Sequence, residues 1–304
     1  ARELQALQSL RGSAEGQPRT VSADGDTQSL LRRIEEVRRD ERFRAARNLL
    51  RLKVLRDFER LDLQLVPPLK GRGEAAFVRT DLRALATGFY PSDALDLVRE
   101  HVLSVIGAWD HLVRDYPLQL ALFQVGEVYS MSALFGYSLR RAVLRYRLDR
   151  LAGGPGAAGR TLQDYVSAFG VIEMEQVVGA VSQEAQAVLD HRIFALFGDL
   201  GQLSAEVQAV MGAWPPEEAG EARLSQAIEL GEVESVQVTV DDLRRLVLEG
   251  VAFGFLLGKA EADVDSVCEL TPGESPCGLL LFGGAHTNEH HPLPGSKSSG
   301  SEFR

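Results

Sequence analysis

Cysteine is nearly absent from this chain. Cys268 and Cys277 are its two cysteines in 304 residues, which excludes a disulfide framework and points to a reducing compartment. Lysine is scarce too, 4 residues against 29 arginines, a bias that a GC-rich genome suffices to explain. The usual catalytic signatures are missing: there is no G-x-x-x-x-G-K-[ST], no G-x-S-x-G, no H-E-x-x-H, and no G-x-G-x-x-G between a strand and a helix. These gaps remove the phosphate-binding, serine-hydrolase, zinc-peptidase and dinucleotide-binding classes as first readings and favour a non-enzyme. Residues 1–27 hold no apolar run of the kind a secretory signal needs, and no transit peptide is expected within the chain. The net charge of −10 argues against an obligate polyanion, so no nucleic-acid partner is expected.

What is present is helical periodicity. The stretch Tyr116–Leu151 carries one charge, Glu127, between Asp115 and Arg140, and then five arginines in eleven residues. A helix apolar on all sides must be buried, so residues of about 118–151 are expected to form the central helix of an all-α, multi-helix bundle of about seven helices. Before it, Leu30, Leu31, Ile34, Val37, Ala45, Leu49, Leu52 and Leu55 fall on one stripe at about 100° per residue, which predicts a long helix with that stripe inward and a cap at Asp26 or Thr27. Leu50, Val54 and Phe58 make a second face, and the arginine-rich start is expected to stay exposed. Asp81–Ala86 reads as a short amphipathic piece, and Leu95–Ile106 as a helix stopped by Gly107.

After the central helix, the glycine-rich residues 153–156 mark a linker, spanning about 152–160. Thr161–Phe169 predicts a short helix, and the apolar residues from Met174 to Leu196 predict one long amphipathic helix ending at Gly198. A further short helix is expected over 201–213, followed by an acidic loop over 214–235. Ser235–Val240 alternates like a strand, but no second strand pattern is available to pair with it, so it reads as an extended approach to a helix beginning at Val240. Thr239 and Asp242 form a capping box for that helix. Inside it stand Gly250, Gly254 and Gly258; glycine in a helix costs about 1 kcal/mol relative to alanine, so three on one face call for a closely approaching backbone. Gly126, Ser130, Ser132 and Gly136 on the central helix are the expected counterpart. The domain expected from these patterns spans 28–270, between a polar N-terminus (1–27) and a disordered tail (271–304).

Val128–Asp149, with Tyr129, Ser132, Gly136, Tyr137, Leu139, Arg141, Arg145 and Leu148 at matching spacing, resembles the signature of domain of unknown function 760, a family of plant and algal plastids and of cyanobacteria. Arg32–Arg42, Tyr165–Phe169, Ala195–Gly198, Leu246–Gly254 and Val264–Ser266 follow in the family's order. Ser138 stands where the family carries an aromatic, and Leu257-Gly258 where it carries Trp-Asp. The resemblance implies an all-helical fold and a chloroplast protein, most naturally stromal, of the UV-B-induced kind. It implies no catalytic residues.

The candidate sites each have a plain structural alternative. Cys268, Cys277, His286 and His290 have donor types that suit zinc but not the spacing of known zinc knuckles, so no metal is expected; a redox disulfide between the two cysteines is the other option. Glu127 is read as structural, paired or at the bundle edge. Arg140, Arg141, Arg145, Arg147 and Arg150, near Tyr129, Tyr137 and Tyr146, are read as a solvated helix end rather than a phosphate site. His101, His111 and His191 read as packed or surface residues. The low-charge span is long enough for a bilayer, but Gln119, Gln124, Glu127 and three serines within it, and a mean hydropathy of −0.08, argue against one. The leading expectation is a non-enzymatic protein-interaction or regulatory module without a cofactor. The alternatives are a small-molecule or pigment carrier, with its pocket between the central helix and the Gly250–Gly258 helix, and an enzyme built around Glu127.

Overall fold

The computed structural model describes residues 25–71, 81–107, 115–153, 159–179, 181–212 and 220–273. Among them the chain forms ten α-helices and a two-stranded sheet. In order these are α1 (Gly25–Glu59), α2 (Leu82–Thr87), a 3-10 turn (Ser92–Ala94), α3 (Leu95–Ile106), β1 (Pro117–Ala121), α4 (Leu122–Leu151), α5 (Leu162–Ser167), α6 (Val171–Val178), α7 (Gln183–Phe197), α8 (Leu200–Met211), α9 (Gly220–Leu230), β2 (Ser235–Thr239) and α10 (Val240–Asp265). The fold is the all-α class that the periodicity implies. Its helices outnumber the expected seven partly because 171–197 is broken in two and 220–230, read from sequence as acidic loop, is helical.

The centre is a parallel pair, α4 against α10. An added Cβ at Gly254 would stand 1.7 Å from the Ala133 carbonyl oxygen, and one at Gly136 would stand 2.0 Å from that of Val251. Neither backbone has room for a side chain there. Gly250 meets the Tyr129 carbonyl and Gly258 the Tyr137 ring, so residues four apart on one helix face residues four apart on the other. Gly126 departs from the expected pattern: it faces Leu200 of α8 instead of α10.

β1 and β2 deliver the two helices to each other. They pair antiparallel from Pro117↔Thr239 to Ala121↔Ser235, and the Leu122 amide donates to the Glu234 carbonyl at 2.8 Å. The expected approach segment is thus a paired strand, and the central helix starts at Leu122 rather than 118. Two strands alone are marginal; Val236 and Val238, both 1% exposed, bury these in the core. The capping box of α10 forms as expected, with Thr239 Oγ1 accepting from the Asp242 amide at 3.1 Å and Asp242 Oδ2 accepting from the Thr239 amide at 3.0 Å.

α1 starts at Gly25, so Asp26 and Thr27 lie inside it and its cap falls outside the described residues. Ala46, Leu50, Val54 and Phe58 bury its second half against α10 and α7. Lys53 bridges to Asp263 at 2.9 Å, and Asp57 to Lys259 at 2.8 Å. The long helix expected up to Gly198 breaks at Gly179. Ser182 caps α7 by accepting from the Ala185 amide, and Gly179 follows the last turn of α6, its amide donating to the Glu175 carbonyl at 2.7 Å.

Candidate functional site

The buried charges hold connecting segments in place. Glu249 of α10 is 1% exposed; its Oε2 accepts from the Val66 amide at 2.6 Å, and its Oε1 from Arg192 of α7 and from the Tyr129 hydroxyl of α4. Arg192 also donates to the Val66 carbonyl at 3.0 Å. Burial by itself would lower the Arg192 pKa, but the Tyr129 hydroxyl, which accepts a hydrogen bond from it, and the Glu249 carboxylate outweigh burial and raise it. Glu261 accepts from the Ser182 amide and from the Tyr137 hydroxyl, and Glu184 from the amide and hydroxyl of Thr271. Each acid ties down the backbone of a connection, a structural use of a buried charge.

The residues singled out from sequence do not converge. Glu127 lies at the surface, where the neighbouring protein desolvates its carboxyl enough to raise its pKa, and it has no partner among the described residues. The arginines are less solvated than expected. Arg140 lies 5.7 Å from the Phe255 ring centre, Arg141 4.7 Å from that of Tyr137, Arg145 5.5 Å from that of Phe169 and Arg150 5.5 Å from that of Tyr146. Arg145 also donates to Gln176 at 2.8 Å. Arg140 thus joins α10 to α4, and Arg145 joins α6 and Phe169 just past α5 to it, while Arg141 and Arg150 lie against rings of their own helix, so this is not a free helix end. Cys268 is half-buried just after α10, His191 is exposed, and Cys277, His111, His286 and His290 lie outside the described residues. Among the described residues no group of three or more His, Cys, Asp or Glu side chains is placed to hold a metal, and no helix is long and apolar enough to cross a membrane.

Two features stand out instead. The first is the outer half of α1, where every residue from 28 to 42 is exposed. At 1.5 Å per residue this is about 22 Å of helix. Leu30 is 60% exposed, Ile34 38% and Val37 49%, and Leu52 continues the same line at 52%. The stripe read from sequence as inward is split: Ala45 and Leu49 pack on the core, while Leu30, Leu31, Ile34 and Val37, in the arginine-rich start expected to stay exposed, face water. The bundle covers only the second half of the helix, chiefly its Leu50, Val54 and Phe58 face, and residues 28–42 project beyond it. At about 100° per residue, Arg33, Arg44 and Arg51 flank the outward line on one side and Arg38 and Arg56 on the other.

The second is a half-open cavity of about 460 Å³ between α3, α4, α5 and α6. Leu97, Met131, Phe135, Ala142 and Phe169 are among its walls, and His101 and Ser138 bring polar atoms to it. The His101 ring stacks on Phe135 with centres 4.1 Å apart. Its Nε2 is 3.1 Å from Ser132 Oγ, which itself donates to the Val128 carbonyl at 2.7 Å. The serine proton is thus committed, so His101 must donate from Nε2 and keep Nδ1 unprotonated. Burial lowers the His101 pKa to about 4, and the ring is neutral near pH 7. Fully buried Ser132, bonded to its own helix, is no nucleophile here. The pocket expected between the central helix and the Gly250–Gly258 helix is absent, because the backbones touch there. The cavity opens on another face of α4, which sequence reasoning missed: its walls come from four helices, and His101, Tyr137 and Ser138 were noted each for a different reason.

Residues 29–151 match the family described as a protein of unknown function, DUF760. A chloroplastic UV-B-induced protein of Arabidopsis thaliana is 23% identical over 312 residues, covering 87% of this chain and 69% of the relative. No solved structure matches the chain.

Proposed function

We propose that this chain is a member of the DUF760 family and a non-catalytic, plastid-resident interaction module, stromal and linked to UV-B stress, that docks an acidic amphipathic helix along the outer face of α1. The observation that carries this is the exposed line Leu30, Ile34, Val37 between rows of arginine. Its steps of four and three residues are the seam one helix offers another. From Gln28 to Arg60 the chain has 11 basic and 6 acidic residues, so the fitting partner is acidic. A membrane surface suits this face less well, because Glu41 sits on the line and Asp40 beside it. The family match begins at residue 29 and so includes the projecting half. Plastid residence and the stress link rest on the name of the Arabidopsis relative.

The test is fluorescence anisotropy with a labelled synthetic helix carrying leucine heptads flanked by glutamate. Saturable binding that weakens with salt, and is lost in a Leu30→Ser, Ile34→Ser, Val37→Ser triple variant with unchanged circular dichroism, is the expected result. Equal binding of a lysine-flanked version, binding only to anionic vesicles, or self-association through this face in sedimentation would each overturn it.

A further inference from the structure

The cavity beside α4 makes demands that the α1 face does not, and it lies on helices whose packing leaves it open. Its size falls within the roughly 300–1,000 Å³ usual for small-molecule sites. Among the described residues no lysine, arginine, aspartate or glutamate lines it, so a carboxylate or an amine placed there would be buried without a counter-charge, at high cost. Met131 and Met174, both part of the lining, are 47% and 43% exposed and stand at the mouth. Flexible thioethers of this kind adapt to a guest's shape.

The polar groups narrow the guest further. Because Ser132 has given its proton to the Val128 carbonyl, His101 spends its one N–H on Ser132 and holds a lone pair at Nδ1. That nitrogen has no hydrogen-bond partner among the described residues, and neither has the Ser138 hydroxyl four positions past the stacked ring's neighbour Leu134. Both residues are half-buried, so water reaches these atoms in the free protein, and a guest that displaces the water without bringing a donor costs the nitrogen its hydrogen bond. An alkane brings none, and an ether can accept from the Ser138 hydroxyl but leaves Nδ1 without a donor.

We infer that this cavity binds an uncharged, largely apolar molecule bearing one hydroxyl or N–H donor, of the long-chain or terpenoid alcohol class, with its donor on His101 Nδ1 and its hydrocarbon between Phe135, Phe169 and the two methionines. The site is separate from the α1 face, and either can fail without the other.

The experiment uses the full chain and Nile red as reporter, displaced in turn by decanol, methyl decyl ether and decanoate at pH 7. Nile red should bind saturably. Decanol should displace it at about tenfold lower concentration than the ether, the worth of one added hydrogen bond, and decanoate should be the weakest of the three. His101→Phe should bring decanol and the ether to within about twofold of each other, while Ala142→Phe, which puts a ring into the cavity, should abolish Nile red uptake with little change in the melting curve. If Ala142→Phe does not fold, the alcohol-to-ether ratio in His101→Phe decides alone. No saturable uptake, equal displacement by alcohol and ether, a preference for decanoate, or an unchanged ratio in His101→Phe would each overturn the inference.

Discussion

Two faces of α4 meet their neighbours in opposite ways. Toward α10 it presents Tyr129, Ala133 and Gly136, and the two backbones touch. Toward α3 and α6 it presents Met131, Phe135, Ser138 and Ala142, and a cavity remains. Both faces carry small residues, so small size alone does not decide closure. The α10 face closes because Gly250, Gly254 and Gly258 answer the small residues of α4 at the same four-residue interval. Across the cavity, α6 ends at Gly179 and α3 supplies bulky Leu97 and His101, so nothing small enough comes near enough to seal it.

The hardest way to break this contrast is to put a side chain where backbones touch. Gly254→Leu and Gly136→Leu should each cost more than about 3 kcal/mol, beyond the usual range for overpacking, because the obstructing atoms are main-chain. Circular dichroism melts will show it, and parent-like melts in both variants would end the account of a closed face. Next, Glu249→Ala leaves Arg192 buried without its partner and should lose about 3–5 kcal/mol in urea unfolding. Filling the open face should be far milder: Ala142→Phe is expected to shift stability by about 1 kcal/mol or less in either direction, since the volume is already there. A loss as large as that of Gly254→Leu would mean the two faces are equally closed.

The smallest effect is a pH dependence on the open side. His101 has its pKa lowered by burial from 6.5 to about 4. As pH falls through 6.5 the unfolded chain takes up a proton that the folded chain refuses until about 4, so stability is lost across that window. The groups packed on the ring, Ser132 and Phe135, carry no charge to offset this. Melts of the parent and of His101→Phe between pH 7 and 4 should diverge, with the parent falling more steeply; parallel curves would place His101 in water.

Much of this was legible because it is local. Thr239 and Asp242 read as a capping box from their spacing alone, and the glycines at 250, 254 and 258 announced a close backbone because nothing else offsets three helix-weakening residues. The strand at 235–239 was visible as alternation, but its partner was not: Leu118 and Leu120 merge into the apolar start of α4 and look like one more helical turn. The break at Gly179 was hidden for the same reason, because Val177, Val181 and Val188 keep helical spacing across it. The cavity was not legible: His101, Tyr137 and Ser138 each drew notice, but nothing in their spacing shows that they share a wall.

The amino-acid order by itself determined that this is an all-helical chain, where most of its helices begin and end, and that α4 and α10 would lie close, since propensity, caps and glycine spacing act over a few residues. It also placed two apolar stripes on α1. How far along the helix burial reaches was decided by tertiary structure: α10 and α7 cover Leu50, Val54 and Phe58, with Leu49 of the other stripe also buried, and residues 28–42 lie beyond the covered half, leaving Leu30, Ile34 and Val37 in water. The same holds for the fates of Glu127, left at the surface, and of Glu249, closed in beside Arg192. Charge and hydropathy are properties of a residue, but desolvation is a property of what packs around it.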